Sequence, residues 1–196
     1  MNSRRIVVIQ GHPDATRPHF GHALAAAYAD AAVAAGHALR SVHVAQLDFP
    51  LLRSQADWDE RALPEVLQQA QADIQWADHL VLLYPLWLGG MPALLKGFLE
   101  QVARPGFAIS KADAGALPKK LLAGRSARIV VTMGMPALLY RWYFAAHSLK
   151  ALKRNILGFA GVAPIRDTLI GGVEGLGDER RAAWLRTLSR LGRAGR

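Results

Sequence analysis

Tyr140 and His147 stand seven residues apart, so on a continuous helix a phenol and an imidazole share one face. Side by side, such groups can donate hydrogen bonds to a developing anion, or simply form an aromatic packing face. Just before them, Thr132-Met133-Gly134-Met135-Pro136 offers a hydroxyl and backbone donors. A second segment, Tyr84-Pro85-Leu86-Trp87-Leu88-Gly89-Gly90-Met91-Pro92-Ala93, places Trp87 beside two glycines that let backbone N–H groups approach a flat ligand. A third, Gly11-His12-Pro13-Asp14-Ala15-Thr16-Arg17-Pro18-His19-Phe20, supplies imidazole, hydroxyl and guanidinium donors ahead of an alanine-rich stretch. Where a strand feeds a helix start, free N–H groups and the helix dipole can hold a phosphate. Two backbone-rich loops with phosphate donors below suit a planar ring with a phosphate tail, the shape of flavin mononucleotide.

Other chemistries lack their residues. The first loop has neither GxGxxG nor GxxxxGK[ST] spacing, and no serine sits in a GxSxG elbow. His19 and His22 share a helix face, but no carboxylate or third histidine stands at ligand spacing, so no metal site is expected. The absence of cysteine removes disulfides, zinc ribbons, iron–sulfur clusters and thiol nucleophiles.

The elements that must position these loops read clearly. Arg4–Gln10 is a β-branched run ended by Gly11, and Phe20 to Ala35 is helical in period until Gly36. Strands are expected over 39–47, 79–84, 127–132 and 166–171. Helices are expected over 64–76, 92–102, 138–157 and 178–191, the last capped by Asp178; residues 48–63 read as irregular. Alternating strands and helices imply right-handed crossovers and a parallel sheet covered on both faces. Five strands in 196 residues fit an α/β, flavodoxin-like, doubly wound sheet of order 2-1-3-4-5, in one domain spanning residues 1–196. Ligands of such sheets bind beyond the carboxyl ends of the strands, which selects the same three loops.

Hydrophobic residues at 52% and charged residues at 20% exclude a disordered chain. No signal peptide is read at the start, and the apolar stretch Leu80–Leu95 is broken by prolines and glycines, so a cytoplasmic protein without membrane insertion is expected. The net charge of +9 is uneven: residues 1–100 carry 7 basic and 10 acidic groups, residues 101–196 carry 17 and 5. A basic half suits nucleic acid, an anionic cofactor, an acidic partner, or no partner at all as a solvated face.

With these residues in view, the chain resembles the flavin-dependent NAD(P)H:quinone reductase family. Its bacterial members include the modulator-of-drug-activity reductases and the flavoprotein ancillary subunits of glutathione-gated potassium efflux. The resemblance rests on Gly11-His12-Pro13, the block Ala77-Asp78-His79-Leu80-Val81-Leu82-Leu83-Tyr84-Pro85-Leu86-Trp87, and Met91 to Phe98. Pro105-Gly106-Phe107-Ala108 and Val131-Thr132-Met133-Gly134 follow in family order. It implies that Trp87 and Leu88, on a loop shaped by Pro85 and Leu86, present N–H groups to N5 and O4 of a flavin. Thr132, Met133 and Gly134 would line its other edge, and Tyr140 and His147 would be the pair that stabilises the reduced ring. His12, His19 and Phe20 would contact the phosphate. The chain departs from the family at Pro18-His19-Phe20-Gly21, where a hydroxyl residue is usual, so that contact falls to Thr16 or an imidazole.

The implied activity is ping-pong, two-electron hydride transfer from NADPH or NADH through FMN or FAD to a quinone or similar flat acceptor. Arg141, Lys150, Lys153 and Arg154 either hold the 2′-phosphate of NADPH or form a solvated helix face. A homodimer is the family norm, and Trp142, Tyr143 and Phe144 could make that contact. The alternative is a regulatory subunit of a partner such as a potassium-efflux system; a one-electron flavodoxin and nucleic-acid binding rank below both.

Overall fold

The computed structural model describes residues 3–59, 62–111 and 118–196. Five strands, β1 (Arg5–Gln10), β2 (Ala38–His43), β3 (His79–Pro85), β4 (Ser126–Thr132) and β5 (Ile165–Ile170), form one sheet of order β2-β1-β3-β4-β5. Every pairing is parallel. This is the flavodoxin-like arrangement expected from the strand spacing.

The helices are α1 (Phe20–Ala34), α2 (Gln55–Asp59), α3 (Glu65–Trp76), α4 (Ala93–Val102), α5 (Ala137–Trp142), α6 (His147–Ala151) and α7 (Asp178–Arg193). A π-helical turn over Leu152–Leu157 continues α6. The central strands are apolar without alternation because both faces are covered. Ile6, Val8, Val81, Leu83 and Val130 pack with Leu24 and Tyr28 of α1 and Leu188 of α7. Val7, Ile9, Leu80, Leu82, Ile129 and Val131 face α3, α4 and the segment from Tyr140 to Val162. Phe98 of α4 is fully buried there, and truncating such a ring to alanine costs about 3–5 kcal/mol.

Four expectations need correction. The second strand ends at His43, and Val44–Gln46 turns into a 3-10 helix. Asp178 is the first residue of α7 rather than its cap, a position held by Gly177. The expected helix 138–157 is broken: Ala145 and Ala146 adopt φ of 51° and 48°, which no right-handed helix accommodates. Residues 48–63, expected to be irregular, hold the short helix α2, while positions 60–61 lie outside the described residues. Among the described residues no helix is long and apolar enough to cross a membrane.

Candidate active site

The parallel sheet delivers the three loops to one edge, at the carboxyl ends of β1, β3 and β4. After β1, the Gln10 side chain accepts the His12 N–H at 3.0 Å and donates to the Gly21 carbonyl at 3.0 Å, fastening the loop to the first turn of α1. His12 is buried, and its Nδ1 accepts the Asp14 N–H at 3.1 Å, which leaves the ring proton on Nε2. Its ring stacks on His19 with centroids 3.8 Å apart and meets the Trp87 ring edge-on at 6.0 Å. His22 completes the cluster, its ring accepting the His19 N–H at 3.4 Å.

Asp14 organises this loop. Its carboxylate accepts the Thr16 hydroxyl at 2.6 Å, the Thr16 N–H at 2.8 Å and the His19 Nε2–H at 2.8 Å. The Thr16 hydroxyl and His19 ring hold the carboxyl well below the usual carboxylate range. Burial, with the neighbouring imidazoles, pushes His12 and His22 down from their ordinary value. The loop thus gathers N–H donors and a hydroxyl at the start of a 15-residue helix, a setting suited to an anion. Among the described residues no group of three histidine, cysteine or acidic side chains is arranged to hold a metal. The Phe20 ring lies under the Arg181 guanidinium at 5.1 Å.

The second loop is joined to the third. Pro85 pairs with Thr132, and the Leu86 N–H donates to the Thr132 carbonyl at 2.7 Å. Trp87 and Gly90 then exchange hydrogen bonds, each at 2.9 Å, closing a tight turn. Leu88 at its tip has φ of 45° and is wholly exposed. Of the two amides expected to face a ligand, that of Trp87 is therefore engaged by Gly90. Those of Leu88 and Gly89 have no acceptor among the described residues.

On the third loop Thr132 and Met133 are buried, and the Met133 N–H donates to Ile170 at 2.9 Å. Gly134 is exposed, its amide lacking an acceptor among the described residues. A Cβ at Gly134 would lie 3.3 Å from the Glu174 carboxylate. Glu174 follows β5, so the carboxyl-end rule points to it although no motif does.

Tyr140 and His147 are not the helix-face pair that their spacing suggests, because the left-handed alanines separate α5 from α6. Tyr140 is buried, its hydroxyl 2.7 Å from the Ser148 hydroxyl and accepting the Leu149 N–H at 3.2 Å. His147 opens α6 and is exposed. Arg141 and Lys153, candidates for a 2′-phosphate, both bind Asp167, at 3.0 and 2.6 Å.

A parallel sheet of this order, with its donors at the carboxyl edge, defines a flavodoxin-like protein. The chain belongs to the flavodoxin-like fold family, whose model matches residues 4–191. It is 30% identical over 124 residues, 63% of its length, to an uncharacterized NAD(P)H oxidoreductase of Haemophilus influenzae, covering 60% of that protein. It is 34% identical over 94 residues, 48% of its length, to FMN-dependent NADH:quinone oxidoreductase 1 of Jannaschia sp., covering 46% of that protein. The matched stretches thus span less than two thirds of either relative. The structure of an NAD(P)H:quinone oxidoreductase from Methanothermobacter marburgensis superposes with a TM-score of 0.81 at 23% identity, covering 98% of this chain and 96% of that one. At that identity the likeness shows the fold alone.

Proposed function

We propose that the protein is an FMN-dependent NAD(P)H oxidoreductase that reduces a quinone or similarly flat acceptor. One observation carries this reading: Leu86, beside the Trp87–Gly90 turn, is bonded to Thr132 while the Trp87 ring meets His12 edge-on, which supports ring-facing amides and anion donors sharing one crevice. The residues present fit the group. Thr16, His12 Nε2–H and His19 would hold the phosphate; the amides of Leu88, Gly89 and Gly134 would meet polar edges of the ring. Pro85 and Leu86 set the height of the turn, and Met133 floors the opposite side. FMN, when bound, supplies the two-electron hydride chemistry, and the protein supplies orientation and electrostatics. Exposed His147 would donate a proton or hydrogen bond at the pyrimidine edge. Tyr140, its hydroxyl engaged, is a positioning residue that anchors α6.

Leu88, Leu138, Leu139, Trp142, Tyr143 and Phe144 are all exposed, an amount of apolar surface that supports a homodimer seated on this face. A single-domain, cytoplasmic enzyme fits the same reading. Both relatives above are named oxidoreductases, which favours the enzyme over an ancillary subunit.

Titrating the protein with FMN and, separately, with riboflavin tests the assignment through flavin fluorescence. We expect one FMN per chain, bound at least about tenfold more tightly than riboflavin, because a charged hydrogen bond contributes about 1.5–3 kcal/mol. Equal affinities would remove the phosphate role of Thr16 and His19, and no binding would remove the function.

A further inference from the structure

The edge of the sheet opposite the candidate site holds a second polar cavity of about 250 Å³. The strands are six or seven residues long, so about 20 Å separates the two ends. β3, β4 and β5 begin at this edge and bring His79, Ser126, Arg128 and Arg166 to the cavity; Arg4, just before β1, and Arg196 complete its polar lining. Four guanidinium groups line it and, among the described residues, no carboxylate side chain does.

Two of these side chains are more than nine-tenths buried and incompletely bonded. His79 is 3% exposed; its Nδ1 lies 2.8 Å from the Ser126 hydroxyl, and its Nε2 has no partner among the described residues. Arg128 is 6% exposed; it donates to the Thr168 hydroxyl at 2.9 Å, while its Nε has no partner among the described residues. Arg4 donates to the Gly195 carbonyl at 3.0 Å, and the Arg166 and Arg196 guanidiniums have no ion pair among the described residues. The nearest acidic residues in sequence are occupied elsewhere, Asp78 by Arg5 and Asp167 by Arg141 and Lys153.

A buried guanidinium with an unbonded Nε is costly, and gathering three more in the same cavity adds repulsion. An oxyanion cancels both penalties. Guanidinium forks match the oxygen geometry of phosphate, and in the tautomer whose Nδ1 accepts from Ser126 the His79 imidazole would offer Nε2–H as a further donor. The volume is below the usual 300–1,000 Å³ of organic-ligand pockets, so it suits one tetrahedral group rather than a whole nucleotide. Part of the positive excess in the second half of the chain, carried by Arg128, Arg166 and Arg196, is thereby accounted for.

We propose that this cavity binds a multivalent oxyanion, a phosphate group, between the strand starts and the C-terminal segment. The site is separate from the proposed flavin site and does not depend on it. Because Arg196 follows α7 while the other polar residues lie at or beside the strand starts, a bound phosphate ties the two together.

The test is calorimetry and thermal unfolding with inorganic phosphate, against chloride at matched ionic strength. FMN-saturated protein keeps the loop after β1 filled; if no FMN is retained, the apoprotein is compared with its variants in the same way. We expect one saturable phosphate per chain, a rise in Tm, and movement of the His79 imidazole resonances. Arg166→Ala and Arg196→Ala, both at exposed positions, should each weaken binding about tenfold, the equivalent of one lost charge-assisted contact. Phosphate and 5′-AMP bound equally would mark a free-ion site, and tighter 5′-AMP binding would mark the phosphate of a monoester. No saturable binding beyond chloride would overturn the proposal. So would affinity unchanged in both variants, since the anion would then lie elsewhere.

Discussion

His19 Nε2 donates to the Asp14 carboxylate at 2.8 Å, placing one of the donors proposed for a phosphate on an anion of the chain itself. Asp14 also takes the hydroxyl and N–H of Thr16, so it occupies donors that a ligand phosphate would use. The loop is thus held in shape by an internal stand-in for the proposed phosphate.

Replacing that stand-in should favour the real anion. Asp14→Ala is expected to tighten FMN binding about tenfold, by freeing charge-assisted donors and removing like-charge repulsion. The dissociation constant from flavin fluorescence checks it. Weaker binding in Asp14→Ala would mean that the carboxylate's service is to hold Thr16 and His19 in place.

Tyr140 and His147 should separate in two assays. Tyr140→Phe strands the Leu149 N–H and a Ser148 hydroxyl bond, and should cost about 1 kcal/mol of unfolding free energy while leaving turnover nearly intact. His147→Ala, at an exposed position, should change stability by less than about 0.5 kcal/mol. It should slow NADPH oxidation at least about tenfold if its hydrogen bond is made to developing charge. The reverse pattern would return the catalytic role to Tyr140.

Acid should destabilise the fold through His79. Burial, with Arg4 and Arg128 beside it, pushes this imidazole down to about 4 from 6.5. A depressed histidine disfavours protonation in the folded state, so its contribution is fully present above pH 6.5 and is lost as pH falls towards 4. The loss is about 3 kcal/mol across that window, read from urea midpoints in phosphate-free buffer. His79→Gln should flatten the profile there.

The break between α5 and α6 has its own prediction. Ala145 at φ of 51° bears the left-handed penalty of about 1–2 kcal/mol, partly offset in glycine by the entropy of its unfolded chain. Ala145→Gly should therefore raise unfolding stability by about 0.5 kcal/mol in denaturant titration, and Ala145→Val should lower it.

These residues also mark where sequence reasoning runs out. The strands are legible because Ile6 to Ile9 and Leu80 to Leu83 are apolar on both faces, and only a covered parallel sheet accommodates that. The three loops follow from the strand order alone. Ala145-Ala146 hid the helix break, since alanine is the strongest helix former and only tertiary packing turns it left-handed. With the break unseen, a seven-residue spacing overstated the kinship of Tyr140 and His147. The reciprocal Trp87–Gly90 bonds and the reach of Asp14 to His19 depend on turn geometry, which composition does not encode. The cavity at the opposite edge escaped for another reason: its arginines come from four separate parts of the chain.

The most direct test of the central claim is the absorption spectrum of the protein desalted after FMN addition, followed by anaerobic NADPH and then a quinone. Retained flavin is expected to bleach to the two-electron form without a semiquinone band and to recover its colour on quinone addition. A protein that retains no FMN, or holds FMN that NADPH does not bleach, would contradict it.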